Sequence, residues 1–79
     1  MTKTDTASKI TSIIAEQLNV DAGTLKPDTD IHVDLAIASL DYVEVLIELE
    51  KTFNIYISDA ESDKVKTLAD LTRIVSSKL

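Results

Sequence analysis

In two long stretches of this chain and one shorter one, apolar residues return every three or four positions, the repeat of an α-helix with one buried face. The first stretch carries Ala7, Ile10, Ile13, Ile14 and Leu18. It predicts a helix over about residues 5–18, begun by Thr4 or Asp5 accepting from free backbone N–H groups and ended at Asn19. The second carries Leu40, Val43, Leu46, Ile47, Leu49 and Phe53. It predicts a helix from about residue 39 to residue 53 or 54, with those six as a broad core-facing arc and Tyr42 and Glu50 at its margins. The third, capped by Thr67, turns Leu68, Leu71, Ile74 and Val75 inward. Ser58 or Asp59 starts a short helix running to about residue 64. Residues 54–57 alternate like a strand, but no partner strand is evident and a lone strand is unstable. The expectation is an all-α fold: a small four-helix bundle with its third helix short.

Between the first two helices lies a long connection, residues 20–38, where Pro27 forbids a continuous helix. Val20, Leu25, Ile31 and Leu35 are spaced to pin it to the core. A connection this long in a small domain is usually functional or packed by its own side chains. At 79 residues the chain has room for one domain, residues 1–79. There is no cysteine, hence no disulfide framework, which fits a reducing compartment. No apolar run approaches a membrane span and residues 1–5 lack a signal-peptide core, so the expected location is the cytoplasm.

Net charge is −6. Residues 28–63 hold ten acidic residues and one basic residue, Lys51, while the rest of the chain is net positive. That middle segment repels nucleic acid and attracts basic protein surfaces. Lys64 and Lys66 are too few for a nucleic-acid patch. Asp28-Thr29-Asp30-Ile31-His32 echoes a calcium loop faintly. Val33 stands where that loop needs glycine and Ser39 where it needs glutamate, so no metal site is expected.

The acidic segment centres on Leu35-Ala36-Ile37-Ala38-Ser39-Leu40-Asp41, where a polar connection meets a helix start. Asp41, Glu44 and Glu48 fall at i, i+3 and i+7, one exposed stripe. Ser39 has the properties of a helix cap, or of a hydroxyl that another enzyme modifies and then recognises. No catalytic constellation surrounds it, and His32 is the chain's only histidine; it reads as a surface or loop residue.

From about residue 10 to residue 75 the chain resembles the acyl carrier protein family. Leu35, Ser39, Leu40, Asp41, Val43 and Glu44 match the family's central motif. Leu49-Glu50, Phe53, Ile55, Ile57, Asp59 and Lys64-Val65-Lys66-Thr67 follow without gaps. The resemblance implies that Ser39 carries a covalent phosphopantetheine arm donated from coenzyme A by a phosphopantetheinyl transferase. The arm's thiol holds acyl intermediates as thioesters for enzymes of fatty-acid or related lipid and secondary-metabolite synthesis. It also implies a monomeric carrier, not an enzyme, with Asp41, Glu44 and Glu48 meeting basic rims on acyl-transferring or condensing enzymes. Ile31, Val45, Leu49, Ile57 and Val65 are then candidates to line an acyl cavity. Two positions depart from the pattern: Ala38 stands for the usual aspartate and Ala36 for the family glycine. A polyketide, peptidyl or aminoacyl carrier, or an unmodified helical interaction module, are the alternatives.

Overall fold

A computed structural model describes the backbone of residues 3–79 and the side chains from residue 5 onward. Among the described residues there are four α-helices and one 3-10 turn. Helix α1 spans Lys3–Leu18, α2 Ser39–Phe53, α3 Asp59–Asp63 and α4 Leu68–Ser76, with the 3-10 turn at Ala22–Thr24. The all-α expectation holds.

Helix ends follow local chemistry. α1 begins at Lys3, so Asp5 lies inside the first turn instead of capping it, where its charge suits the positive end of the helix. The side chain of Thr4, the other expected cap, lies outside the described residues. Asn19 and Asn54 both take left-handed backbone, φ 56°, just past the ends of α1 and α2. Asparagine is one of the few residues other than glycine that adopts it readily. The short α3 and the last helix each open with a reciprocal capping box, Ser58 with Glu61 and Thr67 with Asp70.

The core is built from Ile10 and Ile14 of α1, Val45, Leu49 and Phe53 of α2, and Leu68, Leu71 and Val75 of α4, joined by Leu25, Ile31, Ile57 and Val65 from the connections. Thr6 and Thr72 are buried with them. Thr72 Oγ1 donates to the Leu68 carbonyl at 3.0 Å, so its hydroxyl enters the core satisfied.

Two expectations about burial need correction. Val20 is 38% exposed and does not pin the connection. Leu40, Val43 and Ile47 face solvent instead of the core, at 69%, 48% and 43% exposure. α2 is apolar on two faces. Val45, Leu49 and Phe53, spaced i, i+4 and i+8, win the interior because α1 and the connections pack against that side. Tyr42 and Glu50 sit half-buried at the margins, as expected.

The long connection is fastened to the far end of the chain. Ile31 N donates to Lys66 O at 2.9 Å, Leu68 N to Thr29 O at 3.0 Å and Ala69 N to Pro27 O at 2.9 Å. Asp30 and Thr67 thereby form an isolated antiparallel bridge. Residues 54–57 form no strand; Ile57 N donates instead to Glu50 Oε2 at 2.8 Å.

Candidate functional site

Ser39 is the first residue of α2, and the capping position belongs to Ala38, with φ −73° and ψ 151° and no side-chain hydrogen bond. The reading of Ser39 as the cap is therefore corrected: the chain turns helical one residue too early for it. Its residue is exposed, and its hydroxyl makes no hydrogen bond among the described residues. Two residues before the cap, Ala36 has φ 48°, a left-handed conformation that alanine adopts at a cost. This turn delivers Ser39 to the tip of the helix with its oxygen unspent.

The approach to that turn is ordered by carboxylates. Asp30 Oδ1 accepts from His32 N at 2.9 Å and Val33 N at 2.8 Å, while Asp34 Oδ2 accepts from Asp30 N at 2.8 Å. These carboxylates fold the loop on itself. No group of three or more histidine, cysteine or carboxylate side chains among the described residues could hold a metal ion.

Asp41, Glu44 and Glu48 are all exposed on α2, and Gln17 Nε2 donates to Glu44 Oε2 at 3.2 Å. Beside this acidic stripe runs the apolar one, Leu40, Val43 and Ile47, also at i, i+3 and i+7. Periodicity alone places these three in the core, and the structure turns them to solvent. Their separate period was visible, but its direction was not.

A groove of about 350 Å³ opens at Ser39, lined by His32, Ile37, Tyr42 and Val43 on one side and by Ser62 and Asp63 on the other. Tyr42 OH donates to Ser62 O at 2.9 Å. The rings of His32 and Tyr42 meet edge to face, centroids 4.8 Å apart. His32 Nε2 lies 3.1 Å from Val65 O; a carbonyl only accepts, so Nε2 carries the proton. Burial holds the Tyr42 pKa above the ordinary tyrosine value, with the Asp63 charge adding to it and Ser62 offsetting part. The five cavity candidates, Ile31, Val45, Leu49, Ile57 and Val65, are all buried in the core cluster next to this groove's inner residues.

The carboxylates of the two capping boxes are acidified. Glu61 is pushed down to about 2, chiefly by the Ser58 backbone N–H, with Lys78 also contributing from 2.9 Å. Asp70 is pushed down to about 2 by the backbone N–H groups of Thr67 and Lys66 and by Arg73 at 2.8 Å.

Residues 8–75 match the family described as "Phosphopantetheine attachment site". An acyl carrier protein from Helicobacter hepaticus is 38% identical over 73 residues, 92% of this chain and 96% of that protein. The chain belongs to the acyl carrier protein family. The fold agrees: the solved acyl carrier protein from Enterococcus faecalis superposes with a TM-score of 0.84 over the full length of both chains, at 26% identity. As a member of this family the chain is a carrier and not a catalyst, its prosthetic group is covalently attached phosphopantetheine, and it works with a phosphopantetheinyl transferase and with synthesis enzymes. Among the described residues no helix is long and apolar enough to cross a membrane.

Proposed function

We propose that Ser39 is the attachment residue for the phosphopantetheine arm and that residues 1–79 form one carrier domain for acyl intermediates of fatty-acid synthesis. The observation that carries this reading is the free, exposed hydroxyl at the first position of α2, beside a groove and ahead of an acidic face. These residues fit the group. A primary hydroxyl that caps nothing is available to become a phosphodiester, and a phosphodiester at the positive end of a 15-residue helix is electrostatically favoured. When bound, the arm supplies the thiol that this cysteine-free chain lacks.

The chain's own residues then serve recognition. Asp41, Glu44 and Glu48 attract basic rims on the transferase and on acyl-transferring or condensing enzymes. Leu40, Val43 and Ile47 supply apolar contact alongside them. Charge sets a fast, salt-dependent encounter, and a small apolar patch keeps the complex short-lived, as a shuttle needs. In this reading the carrier is a monomer of the cytoplasm, a compartment its lack of cysteine suits. Ile31, Val45, Leu49, Ile57 and Val65 are the residues an inserted acyl chain would part.

Incubation with coenzyme A and a broad-range transferase, read by intact mass, tests the assignment. One phosphopantetheine should add to the wild type and none to Ser39→Ala. Absence of an adduct on the wild type with several transferases, or its persistence in Ser39→Ala, would refute it.

A further inference from the structure

Helix α3 is the least anchored of the four helices. None of its residues is buried. Its capping box is internal to the segment, and Glu61 is tied to Lys78 near the chain end by an ion pair at 2.9 Å. On the side facing α2 it is held by the Tyr42 hydroxyl, which donates to Ser62 O at 2.9 Å. Tyr42 is itself braced by the edge of the His32 ring, and His32 reaches past it to Val65 O at 3.1 Å. The two side chains therefore grip the peptide backbone within α3 and just beyond it, across the groove that opens at Ser39.

Tyr42 also lines the groove at Ser39 and packs against the core. It lies one turn into α2 from Ser39 and shares a helix face with Val45 and Leu49, the buried residues farther along. Ile57 and Val65, on the two flanks of α3, are buried against the same core. A chain entering from Ser39 along that face must pass Tyr42 and part α3 from α2.

We propose that Tyr42 and His32 form a polar latch that holds α3 against α2, so that these two side chains set how readily an acyl chain leaves solvent for the core. This rests on the carrier reading and adds to it the residues that control cargo burial. The latch consists of a single hydroxyl and a single imidazole contact, both to backbone carbonyls. Neither contact involves a residue of α1 or α4.

The test compares the wild type with Tyr42→Phe, which keeps the ring and removes the donor, and with His32→Ala. On the unmodified proteins, hydrogen exchange is read at the amides of Ser62, Lys64 and Val65, which are bonded to the carbonyls of Ser58, Glu61 and Ser62. Exchange there should quicken roughly two- to tenfold in Tyr42→Phe, the worth of one net hydrogen bond, with α1 and α4 unchanged. The proteins are then loaded with an octanoyl-phosphopantetheine arm, checked by intact mass, and the thioester is cleaved with hydroxylamine. Cleavage should slow by a similar factor in Tyr42→Phe, because the chain spends more time inside. Unchanged exchange in both variants overturns the proposal, as does acceleration spread evenly over all helices. Faster α3 exchange with unchanged cleavage overturns the cargo role. A chain that accepts no arm overturns the carrier reading itself, and does so in the mass spectrum before cleavage is measured.

Discussion

Replacing Ala36 with glycine should stabilise this protein. Ala36 sits at φ 48°, where the Cβ of an L-residue crowds its own carbonyl. That conformation costs roughly 1–2 kcal/mol relative to the right-handed region. Glycine relieves the crowding but gives the unfolded chain more freedom, which takes back roughly 0.4–1 kcal/mol. Ala36 is exposed, so losing its methyl opens no cavity and removes little buried area. The balance is a gain of about 0.5–1 kcal/mol, and in a domain of this size it should raise Tm by roughly 2–8 °C. Urea unfolding followed by circular dichroism checks it: the midpoint should rise with the slope unchanged, the mark of a stability change without a change in exposed surface. Ala36→Val sharpens the comparison, since a β-branched residue tolerates this backbone less well than alanine and should lower the midpoint. An Ala36→Gly midpoint equal to or below that of the parent would mean that the turn before Ser39 is not left-handed at residue 36, and the strain argument would fail.

At the capping position of α2, Ala38→Asp should add a side-chain acceptor for the free N–H groups of the first turn, worth about 1 kcal/mol in a thermal melt. The same carboxylate should speed modification of Ser39 by a general carrier-protein transferase, mainly in kcat/KM and less so at high salt; a slower variant would point to a transferase that prefers a small neutral residue there. Reversing Glu44 and Glu48 to lysine should weaken binding of the transferase strongly while changing stability by no more than about 0.5 kcal/mol per site, because both are exposed. A parallel loss of Tm and affinity would make the stripe structural. Acid should loosen the ends of α3 and α4. Glu61 and Asp70 titrate near 2 in the folded chain, below the ordinary 4.5 and 3.8, so their contribution is full above the ordinary values and is lost as pH falls toward about 2. Urea midpoints taken across that range should fall less steeply for Asp70→Asn than for the parent, and equal slopes would refute the role of its carboxylate.

The capping boxes were within reach of sequence reasoning because their physics spans a few residues. Thr67 was expected as a cap and is one, Ser58 takes the cap that sequence left open between it and Asp59, and Asn19 ends α1 through its own left-handed backbone. The motif around Ser39 was legible for the same reason: residue types and spacing carry it. The five candidate cavity residues were placed by their match to a family, and all proved buried. What α2 does with its apolar residues was not legible. Leu40, Val43 and Ile47 have as good a helical period as Val45, Leu49 and Phe53, and periodicity reports that a face is apolar without saying what covers it. Only the packing of α1 and the connections against one side left the other exposed beside the acids. Whether Ser39 caps α2 turned on a shift of one residue, decided by the turn through Ala36 and Ala38. The strapping of the long connection to Lys66, Leu68 and Ala69, and the grip of His32 and Tyr42 on the backbone around α3, join residues distant in sequence. Such contacts form only when the whole chain has closed, because no local preference of histidine or tyrosine selects a carbonyl that far along the chain.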